Sequence, residues 1–253
     1  MNLAGFDAGI LGPAMLAGLL VLATHAPLGV QVLKRGIVFI DLAIAQIAGV
    51  GVIAADAMGW EPQGWAVQVA AVSAALLGAV AMTYSERRWP QIQEALIGVL
   101  FVLGACVGIL LLANNPHGGE HLKDLLVGQI LWVNAAQLEL MAALTAILLA
   151  LWFGLGRRLG RLGFYVVFSI AVTASVQLVG VYLVFASLIL PALATRGVDG
   201  RSRLVAAYLI GTAGYALGLA CSALFDLPSG AVVVLVMALI AGIASTWLGS
   251  TRS

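Results

Sequence analysis

Long, uninterrupted apolar runs constrain the fold of this chain more than any other feature. An apolar stretch of about 20 residues is long enough to cross a bilayer as an α-helix. The runs are too long, and alternate too little, to be strands, so they predict an all-helical fold. They predict eight full membrane helices and one short apolar helix that follows Gly180 and contains Pro191. The predicted spans are 8–31, 36–58, 65–84, 94–113, 137–155, 164–180, 204–224 and 230–248, and the short helix is 182–195.

The low charge content supports this prediction and excludes several classes of function. Only 9% of the 253 residues are charged, whereas soluble domains average about 25%. The formal net charge of +1 offers no basic patch for nucleic acid, and no polar block is long enough to form a soluble domain. We therefore expect a single transmembrane domain over 1–253. The sequence shows no nucleophile–base–acid set and no phosphate-cradling glycine loop, so we expect that it is not an enzyme. Because the N-terminus lacks the features of a cleaved signal peptide, we expect the first span to be retained.

The positions of Lys and Arg predict how the helices are oriented. These residues collect in cytoplasmic loops, and here they fall on one side of the membrane only if the short helix 182–195 is itself a crossing. The prediction is nine crossings, with the N-terminus outside and the C-terminus inside. Eleven of the twelve basic residues follow this pattern, and Lys123 does not; the eleven are Lys34, Arg35, Arg87, Arg88, Arg157, Arg158, Arg161, Arg196, Arg201, Arg203 and Arg252.

Two polar residues in the second predicted span are candidates for a transport pathway. Asp41 is the stronger one, because a carboxylate inside the membrane is costly and tends to mark an ion path. The alternative is a structural role, in which Asp41 caps the helix or pairs with Lys34 or Arg35. Gln46 lies five residues further on, roughly 140° around the helix, so it faces another direction. It could line a pathway or form a hydrogen bond to a neighbouring helix.

Other candidate residues lie near the ends of the predicted spans. His117, Glu120 and His121 could form an outer metal-entry site if their segment is helical, although a solvated loop is the simpler interpretation. Gln177, just before the break at Gly180, could face a cavity lined by unwound backbone or bond to another helix. His25 is expected to be a buried, hydrogen-bonded histidine.

Four segments, in this order, resemble the membrane permease subunit of metal-ion ABC transporters, the zinc/manganese/iron importer family. They are LGVQVLKRGIVFIDLAIAQIAGVGV at 28–52, LKDLLVGQILWV at 122–133, VGVYLVFASLILPALATR at 179–196 and DLPSGAVVVLV at 226–236. The resemblance implies a type II ABC importer fold, like that of the vitamin B12 permease. It implies a homodimeric pore in the bacterial cytoplasmic (inner) membrane, driven by cytoplasmic ABC ATPase subunits that bind ATP.

The resemblance also implies what this permease would carry. An extracytoplasmic solute-binding protein would deliver a divalent transition metal, zinc or manganese, and the permease would hold no permanent cofactor. The cytoplasmic link at 154–163 would dock the ATPase through Arg157, Arg158 and Arg161, aided by 192–203. This link is shorter than in relatives, and it is basic where theirs is acidic.

The second helix departs from the family pattern. The family motif reads roughly F-[IL]-G-D-A-L-S-H-A, with Asp and His four residues apart on one helix face. Here Leu42 stands at the Asp position and Gln46 at the His position, while Asp41 stands at the Gly position. Amide oxygens suit harder ions than imidazole does, so this change weakens the case for tight coordination of a transition metal.

Two other transport functions fit the same residues. One is a permease for a metal chelate, such as a siderophore or cobalamin. The other is a secondary transporter in which Asp41 binds the coupling proton; it would need no ATPase. A purely structural membrane protein fits less well, because it would need neither the broken helix nor the buried carboxylate.

Overall fold

The computed structural model describes residues 8–60, 64–112, 126–155, 158 and 160–250, and within these ranges it contains helices and no strand. Nine α-helices are bounded inside these ranges, together with two short 3₁₀ turns at Pro90–Ile92 and Ile130–Trp132. The α-helices are α1 (Ala8–Arg35), α2 (Ile40–Ala57), α3 (Trp65–Arg88), α4 (Gln93–Leu112), α5 (Ala135–Leu155), α6 (Gly160–Val179), α7 (Val181–Ala194), α8 (Gly200–Phe225) and α9 (Ser229–Ser250).

Eight of these helices are long and apolar enough to cross a membrane, and α7 is a shorter apolar helix of 14 residues. The predicted set of eight full helices and one short one is therefore confirmed. The observed helix ends differ from the predicted ones mainly where basic residues occur. Helices α1 and α3 extend through Arg35 and Arg88, and α8 begins before Arg201. Long basic side chains can keep their charge in water while their stems cover apolar surface, so they did not end the helices as the sequence analysis expected.

Three of the membrane-length helices form the interior of the bundle, and three others lie at its edge. Over the most apolar window, burial reaches 67% in α6, 61% in α1 and 56% in α2, but only 17% in α4, α5 and α9. The short helix α7 is also mostly buried. The candidate pathway residues of α2 and α6 therefore lie on interior helices. The largest fully buried side chains include Tyr165, Phe168, Ile40, Ile44, Leu183, Leu188 and Tyr215.

Glycines allow several of these helices to approach closely, as small residues do in membrane bundles. A Cβ added at Gly51 would lie 2.7 Å from the Ala70 carbonyl oxygen of α3. At Gly214 it would lie 2.8 Å from Met237 on α9, and at Gly29 it would collide with the Leu188 carbonyl oxygen of α7.

A sharp corner joins α6 to α7 through Gly180 alone, whose φ of +84° favours glycine. The far end of α7 lies at the basic end of the bundle, because Arg203 donates a hydrogen bond to the Ala192 carbonyl at 3.3 Å. Helix α7 has 14 residues and rises about 21 Å, less than the roughly 30 Å of the hydrocarbon core. The corner therefore lies at membrane depth.

The stretch 126–133, just before α5, covers this corner. Gly128, with a φ of +70°, meets the backbone of Val179 and Gly180 so closely that neither glycine has room for a Cβ. The Val127 carbonyl oxygen faces Gly230 at the start of α9, 2.8 Å from where a Cβ would stand. This stretch, in which helical structure is interrupted at Gly128 and Gln129, thus connects the α6–α7 corner to α9.

Two alanine substitutions in α1 test the close approach to α7. Gly12 has open space where a Cβ would be, and alanine is the better helix former by about 1 kcal/mol, so Gly12→Ala should keep or raise the melting temperature in detergent. Gly29→Ala should lower stability by about 1–3 kcal/mol, since the new methyl group forces α1 away from α7. Equal melting temperatures for both variants would contradict this contact.

Candidate functional site

Asp41 lies in the first turn of α2 and is buried, with 1% of its surface exposed. Neither carboxylate oxygen has a hydrogen-bond partner among the described residues. The suggested ion pair with Arg35 is not formed, because that guanidinium lies 4.2 Å above the Phe164 ring centroid and 3.4 Å from Glu86 Oε1. Lys34 is exposed at the end of α1. The N-terminus of α2 favours a negative charge, but no Lys, Arg or His among the described residues forms an ion pair with Asp41.

Gln46 faces α4, away from Asp41. Its side chain is 8% exposed, and a Cβ added at Gly104 of α4 would lie 3.1 Å from Gln46 Cβ. Leu42, four residues before Gln46 and so on the same face of α2, is half-buried. The two positions at which the family motif has Asp and His therefore share one face here, with apolar and amide side chains, while Asp41 lies on another.

Gln177 is exposed in the last turn of α6, the most buried of the membrane-length helices. It ends a partly open stripe on that helix, in which successive members are three or four residues apart. The stripe consists of Gly163, Val166, Ile170, Ala174 and Gln177. An exposed amide at the end of an apolar stripe, three residues before the α6–α7 corner, fits a pathway or a subunit contact better than contact with lipid.

Gln129 is a second exposed amide near the corner, and it is not among the candidate residues predicted from the sequence. It follows Gly128 directly, and the Gly128 backbone lies against Val179 and Gly180. The sequence gives no distinguishing signal, since Val-Gly pairs occur at 50–51 and 107–108 as well as at the two places that meet here, 127–128 and 179–180. A single sequence cannot show that these two pairs are in contact.

Charged side chains tie three helix ends together at the basic end of the bundle. Glu86 Oε1, at the end of α3, lies 3.4 Å from Arg35 Nη1 of α1 and 3.7 Å from Arg161 Nε of α6. We call these three residues the Glu86 ion cluster. Arg161, predicted to contact an ATPase, therefore also has a partner within its own chain.

Two further hydrogen-bonded contacts join the neighbouring helix ends. Glu94 Oε1, in the first turn of α4, accepts a hydrogen bond from the Phe39 backbone N–H at 3.2 Å, just before α2 begins. The Ser85 hydroxyl of α3 donates to the Gln93 side-chain oxygen at 3.0 Å. The start of α2, which carries Asp41, is thus connected through α4 to the helices of the Glu86 ion cluster.

The structure describes some of the remaining predicted residues and leaves others outside its described ranges. His25 is fully buried, and its Nδ1 lies 2.9 Å from the Val21 carbonyl oxygen, which confirms a buried, hydrogen-bonded histidine. Arg158 is exposed in the link of residues 156–159 between α5 and α6. Residues His117, Glu120, His121 and Arg157 lie outside the described residues.

Metal-ligating side chains do not cluster in the part of the chain that the structure describes. No group of three His, Cys, Asp or Glu residues there could hold a metal ion. Of the polar side chains described above in α2 and near the α6–α7 corner, three are amides: Gln46 is buried, and Gln129 and Gln177 are exposed. Amides can hydrogen-bond a cargo or its bound water, and they are weak ligands for soft metals.

Comparison with known proteins identifies the family. The sequence profile of the ABC 3 transport family matches residues 7–160 and 153–248, almost the whole described chain. The chain belongs to the ABC 3 transport family. The resemblance recognised in the sequence is thereby confirmed, and the chain is a multi-pass membrane permease subunit of an ABC transporter. ATP hydrolysis resides in a separate subunit of such a transporter.

Individual relatives agree with this assignment. An uncharacterised membrane protein of Synechocystis sp., slr2045, is 29% identical over 244 residues, which cover 88% of this chain and 85% of the relative. The structure of PsaBC from Streptococcus pneumoniae in complex with Fab matches with a TM-score of 0.77 and 20% identity, covering 96% of this chain and 95% of that one. An inward-facing structure assigned to the metal-chelate type of ABC transporter matches with a TM-score of 0.71 and 18% identity, covering 92% and 84%.

Replacing Asp41 separates its structural effect on the permease from its functional effect. An unpaired buried carboxylate is costly, so Asp41→Asn should stabilise the protein by about 1 kcal/mol, raising the melting temperature by roughly 2–4 °C. Transport should fall severalfold if the carboxylate serves the pathway. Asp56→Asn, at the other end of α2, is the matched control. A lower melting temperature for Asp41→Asn would instead identify Asp41 as a structural anchor.

The Glu86 ion cluster should make a small, salt-dependent contribution to the stability of the permease. Glu86→Gln keeps the shape of the side chain but removes its attraction to Arg35 and Arg161, and should cost about 0.5–1 kcal/mol at low salt. The loss should shrink at high salt, since exposed charges are screened. Melting temperatures at two salt concentrations measure it. Glu139→Gln, an exposed carboxylate at the opposite end of the bundle, should show neither effect.

Proposed function

We propose that this chain is the membrane-spanning permease subunit of an ATP-driven ABC importer for a divalent transition metal, zinc or manganese. The family match over almost the whole chain carries this proposal. The four quoted segments, which resemble zinc, manganese and iron permeases, support the choice of cargo, and the similarity to a metal-chelate type ABC transporter supports a metal-containing one.

The translocation pathway of this proposal lies between two copies of the chain. The partly open stripe of α6, which ends at Gln177, would turn towards it. Gln46, on the face of α2 that packs against α4, would act from the interior of each copy. Asp41 would act from the interior of each copy as a cation-linked group. His117, Glu120 and His121 would form the metal entry on the outer side.

Two further proteins would complete the transporter. A cytoplasmic ATPase would contact the basic end of the bundle through Arg157, Arg158 and Arg161, aided by 192–203, and a solute-binding protein would deliver metal on the opposite side. The permease would lie in the bacterial cytoplasmic membrane with its N-terminus outside and its C-terminus inside. No cofactor would stay bound to it.

Contacts at the basic end suggest how the ATPase would move the pathway helices. The Glu86 ion cluster ties α1 and α3 to α6, and the bond from Phe39 to Glu94 ties the start of α2 to α4. A displacement of this end by the ATPase would therefore reach α2 and α6 together.

A second candidate cargo is a metal chelate, such as a siderophore or cobalamin. It is favoured because Leu42 and Gln46 stand where the family motif has Asp and His, and because metal-ligating side chains do not cluster in the described residues. A proton-coupled secondary transporter using Asp41 is disfavoured, since the chain belongs to an ABC family.

Cell-associated metal content is the direct test of the proposed cargo. A deletion strain, its complemented strain and an Asp41→Ala complement would be grown in metal-limited medium and analysed by mass spectrometry. We expect zinc or manganese to fall on deletion and to return only with the wild-type gene. Unchanged content of both metals would refute free-ion import, and uptake of labelled chelates would then test the second candidate.

The energy source needs a separate measurement. In cells that take up the metal, an uncoupler that leaves ATP levels high should leave initial uptake largely intact. Inactivating the nucleotide site of the partner ATPase should abolish that uptake. The opposite pattern would identify a proton-coupled transporter.

A further inference from the structure

The α6–α7 corner is a place where backbone leaves the helical conformation at membrane depth. Unsatisfied backbone groups are tolerated at such depth only if protein buries them or a water-filled cavity faces them. Gly128 and Val127 cover one side of the corner, through contacts to Val179, Gly180 and Gly230. Exposed polar side chains lie next to the corner on each of the segments that meet there.

Three polar side chains lie next to this corner, and all three are exposed. Gln177 precedes it on α6, Tyr182 follows it on α7 with 53% of its surface exposed, and Gln129 comes from the covering stretch. In hydrocarbon, exposed amides would lose their hydrogen bonds to water, at a cost of more than 1 kcal/mol each. Their common position at one corner points to a hydrated cavity.

Chain geometry keeps the two amides close together. A Cβ added at Gly180 would lie 2.8 Å from Gly128 Cα, and Gln129 is the next residue after Gly128. With 3.8 Å per chain step and about 5 Å across three helical residues, the Cα atoms of Gln129 and Gln177 are at most about 14 Å apart. Side chains of this length can contact one cargo from both sides.

The chemistry of these groups differs from that of a metal-coordinating site. Two amides and a phenol carry no charge at neutral pH, and they offer both donors and acceptors of hydrogen bonds. Transition metals such as zinc are bound directly by imidazole, thiolate or carboxylate. The corner is therefore suited to the ligands around a metal ion, not to the ion itself.

We propose that Gln129, Gln177 and Tyr182 form a cargo-binding site at the α6–α7 corner, which holds the transported metal through hydrogen bonds to its ligand shell. The shell is coordinated water for a free ion, or the oxygen atoms of the chelator for a chelate. This inference rests on the proposed function as a metal permease, and it assigns to that permease a site that does not discriminate strongly between metals.

Uptake by cells that express the complete transporter tests this site. Radioactive zinc and manganese would be supplied separately, each as the hydrated ion and as its citrate chelate. Gln129→Leu and Gln177→Leu should each lower initial uptake about fivefold, the usual effect of losing one hydrogen bond. Zinc and manganese should be affected alike, and Gln177→Asn should restore part of the uptake.

Matched controls separate this effect from misfolding. Gln68→Leu removes another exposed amide, in the first turn of α3 at the same end of the bundle, and should leave uptake unchanged. All variants should show wild-type melting temperatures and the same assembly size in detergent. If wild-type cells take up the hydrated ion, the site binds coordinated water; if they take up the citrate chelate, it binds the chelator.

Several results would overturn the site. Wild-type uptake by Gln129→Leu and Gln177→Leu would exclude it, and a loss confined to one metal would indicate direct coordination instead. A change in assembly size with Gln177→Leu would assign that amide to a subunit contact. If the wild-type complement itself takes up neither metal in either form, the proposed function fails, which is a different result from the failure of the site.

Discussion

The need to satisfy every backbone hydrogen-bonding group inside a membrane governs this structure. Helices meet that need by themselves, so most of the chain can face lipid with apolar side chains. The α6–α7 corner is different, because α7 is too short to carry the turn out to the surface. The stretch 126–133 has to cover it, and both contacting residues have to be glycine. The polar surface around Gln129 and Gln177 follows from this one interruption.

The polar side chains at the two ends of the bundle differ in charge. At the basic end, the Glu86 carboxylate pairs with Arg35 and Arg161. The Glu94 carboxylate accepts a hydrogen bond from the Phe39 backbone N–H, just before α2 begins. Around the α6–α7 corner, the polar groups are uncharged amides and a phenol. Asp41, in the first turn of α2 near the basic end, is a buried carboxylate without a hydrogen-bond partner among the described residues, and this makes it costly to keep for structural reasons alone.

Apolar run length and the distribution of basic residues predicted the helices, including the short α7. The same reasoning placed Asp41 and Gln46 on different faces of α2, because the angle between them is a property of the helix itself. It could not find the pairing of Arg35 with Glu86, which lie 51 residues apart, or the contact of Gly128 with Gly180. Such contacts depend on how helices assemble, and one sequence carries only local periodicity. Gln129 was missed for this reason, since its neighbours come from a distant part of the chain.

The brief connection between α5 and α6 has a consequence for the choice of motor protein. Only four residues, 156–159, separate the two helices, which is about one helical turn and fewer residues than a separate projecting helix needs. An ATPase whose binding surface is a cleft for such a helix would have no helix to bind at this position. If the proposed ATPase docks here, it would contact a short link beside the exposed Arg158 and Arg161, so ATPases from related transporters should not be interchangeable with it.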